Sequence, residues 1–101
     1  MSMRLIKFKQ TVCAPCSMLD NYLENELGVT VDEEANITNG IWINLKTGEI
    51  VEDYAYELAG ELDIMKSPTL VLLDNDGNKI DEVIGTSKSL VDSIIKKRGL
   101  I

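Results

Sequence analysis

Cys13 and Cys16 are the only cysteines in a chain of 101 residues, and only Ala14 and Pro15 separate them. A disulfide between them closes a loop too short to restrict the unfolded chain much, so a stabilising staple is a poor reason for the pair. A reactive dithiol is a better one. Pro15 suits the first position of a helix, where its missing N–H costs nothing. Cys13 then stands just ahead of the first turn, facing unpaired N–H groups and the positive end of the helix dipole. Such a position favours thiolate over thiol. If the dipole contributes about 1 kcal/mol, the thiol pKa falls by roughly one unit or a little less. Two buried structural cysteines would leave Pro15 and the helix junction as coincidence. A structural zinc site wants four Cys or His ligands. The chain has no His and no further Cys, so closure would need carboxylates or a second subunit.

The surrounding pattern supplies the elements that must hold this pair. Residues 4–9 alternate, with Ile6 and Phe8 on one side and Leu5, Lys7 and Lys9 on the other, which predicts a strand. From Pro15 the apolar positions Cys16, Leu19, Leu23 and Leu27 recur at helical spacing, and Gly28 ends the helix. Residues 29–40 are the hardest to read: Val29-Thr-Val31 suggests a short strand, and Asp32–Asn36 and Thr38–Gly40 suggest loop. Ile41–Leu45 reads as the next strand, closed by a turn at 46–48. Val51, Tyr54, Ala55, Leu58, Ala59 and Leu62 form one stripe of a helix over about 50–62. Thr69–Leu73 is a continuous apolar run, as in a strand buried on both faces. Asp74-Asn-Asp-Gly77 then turns the chain into an antiparallel strand over 79–84. A last helix over 88–98 carries Leu90, Val91, Ile94 and Ile95, with Lys96, Lys97 and Arg98 at its negative end. The order is β-α-β-α-β-β-α, an α/β fold with a mixed four-stranded sheet and helices on both faces.

Composition limits what such a domain can do. The length fits one domain, residues 1–101, with 45% apolar and 27% charged residues. A net charge of −7 argues against binding nucleic-acid backbones or anionic membranes, both of which need basic patches. No apolar run is long enough to span a bilayer, and the first residues lack the apolar core and cleavage site of a signal peptide. Two vicinal cysteines in that setting point to the cytoplasm and to redox or metal chemistry.

The element order, Cys13-Ala-Pro-Cys16 at a strand-to-helix junction, and Ser67-Pro68-Thr69 opening a buried strand together resemble the thioredoxin family. The likeness is greatest to the small thioredoxin-like proteins of phages and prophages, and it covers about residues 4–98. It implies that Cys13 is the attacking thiol and Cys16 the resolving one. It also implies that Pro68 is a cis-proline lying against the dithiol, that Ser67 presents its backbone to an extended substrate, and that Gly85 keeps the substrate groove open. Val12, Ala14, Pro15 and Thr69 complete the expected substrate-binding set. Three departures stand out. Val12 replaces an aromatic residue and Ala14 a glycine. Lys7 occupies the position of the family's buried acid, which relays a proton to or from the second cysteine.

Lys7 has three readings: a modulator of the thiol pKa, the cationic half of an ion pair with an acid on a neighbouring strand such as Glu49, or a side chain that snorkels to solvent. Snorkelling is the simplest. Glu24, Glu26, Asp32, Glu33, Glu34, Glu52 and Asp53 read as a solvated acidic surface, since none has calcium-loop spacing. Trp42, Tyr54 and Tyr56 read as packing and rim residues. The expected activity is reduction of disulfides in partner proteins by a monomer, with no cofactor or metal. A thioredoxin-reductase-type protein or a small thiol would restore the dithiol. The alternative is an interaction module whose dithiol is not catalytic.

Overall fold

The structure is a computed structural model that describes residues 3–101. Met1 and Ser2, part of the stretch read above for a signal peptide, lie outside the described residues. The strands are β1 (Arg4–Lys9), β2 (Glu33–Asn36), β3 (Trp42–Asn44), β4 (Ile50–Val51), β5 (Thr69–Leu73) and β6 (Lys79–Ile84). The helices are α1 (Ala14–Asn21), which continues as a π-helical segment over Tyr22–Leu27, α2 (Tyr54–Glu61) and α3 (Lys88–Arg98). The sheet order is β4-β3-β2-β1-β5-β6, with β1 and β2 parallel and every other pairing antiparallel.

The mixed α/β sheet with helices on both faces is as expected, but it has six strands rather than four. Both additional strands come from stretches read otherwise. Asp32–Asn36, which reads as loop, supplies β2, whereas Val29–Val31, where the sequence only suggests a short strand, is irregular. Residues 50–51, taken for the start of a helix, form β4 against β3. Glu33-Glu-Ala-Asn36 has little intrinsic preference for strand. It is a strand because it lies alongside β1, with Ile6 opposite Glu33 and Phe8 opposite Ala35.

Two apolar layers follow from strand alternation. Leu5, Leu70 and Leu72 point to the face covered by Leu19 and Leu23 of the first helix and by Val91, Ile94 and Ile95 of α3. Ile6, Phe8, Val71 and Leu73 point to the other face, where Ala55 and Leu58 of α2 cover them beside Trp42. Every residue of β5 is buried. At roughly 1.5–3 kcal/mol for each large apolar side chain removed from water, these layers fix the central strands. The carboxyl end of β1 and the entry to β5 are thereby held where the two cysteines lie.

The acidic stretch is not uniformly a solvated surface. Asp32 and Glu33 are buried and fully partnered. Glu33 accepts two hydrogen bonds from the Arg4 guanidinium, at 2.6 and 2.8 Å, and one from the Trp42 indole N–H at 2.9 Å. Asp32 accepts from the Leu5 N–H at 2.8 Å and from Arg98 at 2.7 and 3.0 Å. The basic end of α3 therefore does more than complement the helix dipole. Arg98 reaches across to Asp32, and Lys97 pairs with Asp81 at 2.8 Å.

Candidate active site

At the end of β1 the chain runs Gln10-Thr-Val-Cys13 and enters α1 with Pro15 in its first turn. Cys13 is the N-cap residue. Its backbone is extended, and its sulfur accepts the Cys16 N–H at 3.2 Å. The sulfur thus occupies the place a serine or aspartate oxygen commonly takes at a helix start. Cys13 and Cys16 are joined as a disulfide, with Cα atoms 5.2 Å apart. Their surroundings differ: Cys13 is partly exposed, and Cys16 is 2% exposed beneath it.

The loop before β5 comes up against this pair. The Ser67–Pro68 peptide bond is cis, and the Ser67 Oγ lies 3.7 Å from Cys13 Sγ. The Ser67 hydroxyl donates to Gln10 Oε1 at 2.7 Å. Thr69 is buried, and its hydroxyl donates to the Lys66 carbonyl at 2.7 Å. It thus braces the proline turn from below rather than presenting a side chain outward. Gly85 has φ +95° and donates its N–H to the Pro68 carbonyl at 2.9 Å. That backbone angle is one that L side chains rarely adopt. Val12 is 93% exposed, Ala14 and Pro15 are also exposed, and Pro68 is buried. The structure thus draws Cys13, Cys16, Ser67, Pro68, Thr69 and Gly85 together, with Val12, Ala14 and Pro15 on the open side.

Lys7 does not snorkel to solvent; it is the cationic half of an ion pair with an acid on a neighbouring strand, but that acid is Glu34 of β2 rather than Glu49. It is 6% exposed and forms ion pairs with Asp20 of α1 and, at 3.1 Å, with Glu34 of β2. Burial would push its ammonium toward neutrality, but the two carboxylates outweigh that and raise its pKa above the ordinary value. Lys9 completes the cluster, 3.4 Å from Asp20. Alternation puts Lys7 on the α1 face of β1, and Asp20 stands four residues after Cys16, on the same side of the helix.

Sequence reasoning missed Gln10, Asp20, Glu34 and Thr38. Asp20 carried a usable signal, being an acid four residues from Cys16 on a helix whose inner stripe is otherwise apolar. Thr38, in the stretch hardest to read, accepts the Thr11 N–H at 3.1 Å and so supports the approach to Cys13. Among the described residues, no group of three or more Cys, His, Asp or Glu is placed to hold a metal ion. No helix among them is long and apolar enough to cross a membrane.

This architecture, with a C-x-x-C disulfide at a strand-to-helix junction facing a cis-proline turn, is the thioredoxin fold. The chain superposes on thioredoxin from Malassezia sympodialis with a TM-score of 0.65 at 24% identity, covering 96% of this chain and 75% of that one. It superposes equally, at 0.65 and 23% identity, on mitochondrial thioredoxin 3 of Saccharomyces cerevisiae, covering 95% of this chain and 78% of that one. Among curated proteins it is similar to the SPbeta prophage-derived thioredoxin-like protein YosR of Bacillus subtilis (strain 168). The two are 27% identical over 95 residues, which is 94% of this chain and 98% of the relative. No family model matches the chain.

Proposed function

We propose that the protein is a thiol–disulfide oxidoreductase that reduces disulfides in partner proteins. The observation that carries this reading is the asymmetry of the pair: Cys13 partly exposed at the helix N-terminus, and Cys16 buried below it. In the dithiol form Cys13 is the thiolate, favoured by the N–H groups of the first turn. It attacks one sulfur of a partner disulfide. A mixed disulfide forms, and the other partner sulfur leaves as thiolate. Cys16 then loses its proton and attacks Cys13 Sγ. The second partner sulfur leaves, and the two electrons of the dithiol now reside on the partner. The Cys13–Cys16 disulfide remains.

Val12, Pro15, Ser67 and Pro68 would hold an extended substrate segment by backbone pairing and shallow apolar contact. Gly85 leaves room beside it, since a Cβ at that position would meet nothing within 4 Å. A thioredoxin-reductase-type protein or a small thiol returns two electrons to the disulfide. The cytoplasm, a reducing compartment, suits that direction of transfer. The protein acts as a monomer.

Reduction of insulin by dithiothreitol, followed by turbidity, tests the reading. The wild type accelerates the reaction, and Cys13→Ser and Cys16→Ser do not. A wild type no faster than either variant would leave an interaction module of this fold as the function.

A further inference from the structure

Gln10 and Ser67 meet because of the sheet register. β1 and β5 are antiparallel, with Phe8 opposite Thr69, and continuing two places past the ladder sets Gln10 opposite Ser67. Pro68 has no N–H to continue the ladder, so side chains make the next link: the Ser67 hydroxyl donates to Gln10 Oε1 at 2.7 Å. The Ser67 Oγ also lies 3.7 Å from Cys13 Sγ. One hydroxyl proton cannot serve both acceptors. In the disulfide form the amide oxygen wins, because a disulfide sulfur is a weak acceptor. In the dithiol form the competitor is an anion, and charge-assisted hydrogen bonds are roughly twice as strong as neutral ones.

We propose that Gln10, Ser67 and Cys13 form a hydrogen-bond relay that changes direction with the redox state and positions and stabilises the Cys13 thiolate. With the disulfide closed, Ser67 donates to Gln10. With the dithiol formed, the Ser67 hydroxyl rotates to donate to the Cys13 thiolate. The Gln10 amide then turns to donate an N–H to Ser67 Oγ. No covalent bond changes and no proton leaves Ser67. The thiolate gains a second donor besides the Cys16 N–H. Ser67 and Gln10 are positioning residues, acting through Cys13. Their role rests on the oxidoreductase reading above but concerns side chains that reading does not use, since it assigns only the Ser67 backbone.

The test is titration of the thiolate absorbance of the reduced protein near 240 nm, a measurement that needs no substrate. Ser67→Ala, Ser67→Thr and Ser67→Val are compared with wild type; threonine and valine match in shape and differ in the hydroxyl. A hydrogen bond to an ion of ordinary strength corresponds to about one pKa unit, a tenfold change in the thiol–thiolate equilibrium. Alanine and valine should therefore titrate about one unit above serine and threonine, and Gln10→Ala should shift in the same direction by less. Superimposed curves, or threonine grouping with valine, would overturn the relay. Insulin reduction by the wild type separates the two ideas. Catalysis with superimposed titrations removes the relay alone, whereas a hydroxyl-dependent titration without catalysis removes the oxidoreductase reading alone.

Discussion

Lys7 is the residue at which sequence pattern and structure part most informatively. A lysine in the middle of a strand flanked on both sides by other strands has no short path to water. It stays charged only because Asp20 and Glu34 come to it from the helix and from the parallel neighbour. The strand alternation around it was legible, because Ile6, Phe8 and Leu5 are apolar and their period is unambiguous. The partners of its ion pairs were not, because Asp20 and Glu34 are 13 and 27 positions away in sequence and become neighbours only through tertiary packing. Removing this cation leaves two carboxylates, each about a quarter exposed, with only the more distant Lys9 between them, 3.4 Å from Asp20 and 3.9 Å from Glu34. Lys7→Met should therefore cost about 1–3 kcal/mol in urea unfolding, less than for a fully sealed pair. Asp20→Leu in the same chain should return part of that loss, giving a coupling of about 0.5–3 kcal/mol. Additive losses would mean that Lys7 and Asp20 do not act together.

At the level of elements, long periodic segments were readable and short ones stabilised by partners were not. β5 and α3 lie where their apolar patterns put them, Thr69–Leu73 and Lys88–Arg98. β2 escaped because Glu33 and Glu34 are acidic and the partners of the buried Glu33, Arg4 and Trp42, lie elsewhere in the chain. The hairpin after β2 shows a similar dependence. Gly40 and Gly48 have nearly the same φ, +80° and +82°, but different surroundings. A Cβ on Gly40 would sit 2.4 Å from the Tyr56 ring, and one on Gly48 would meet nothing within 4 Å. Each alanine substitution costs about 1–2 kcal/mol for the left-handed backbone. Gly40→Ala should cost about 1 kcal/mol more, because it displaces the ring whose hydroxyl donates to the Thr38 carbonyl at 2.9 Å. Equal losses in urea unfolding would show that the ring yields freely.

Across the whole molecule, Asp32 ties together parts of the chain that are far apart in sequence. Burial works against its ionisation. The Arg98 guanidinium, the Leu5 N–H and Lys46 outweigh that and hold the carboxyl below its usual range. A depressed native pKa contributes stability that is present above the unfolded value, about 3.9, and is lost as pH falls through the native value. Asp32→Asn removes that contribution at neutral pH. The wild type should thus be clearly more stable than the variant at pH 7, with the gap closing as the pH is lowered through and below about 4. A gap that stays constant with pH would show that the asparagine acts through packing instead. The overall α/β architecture and the dithiol were legible because apolar periodicity and the Cys-x-x-Cys spacing are local. The charge network at the starts of β1 and β2 was not, since its members lie up to 66 positions apart. The proposed order, attack by Cys13 and resolution by Cys16, rests on the partial exposure of the first and the burial of the second. Mass spectrometry of Cys16→Ser mixed with a disulfide-containing protein tests that order most directly. The expected result is a stable mixed disulfide through Cys13 that wild type does not accumulate. A linkage through Cys16 in Cys13→Ser, with none through Cys13, would contradict the account.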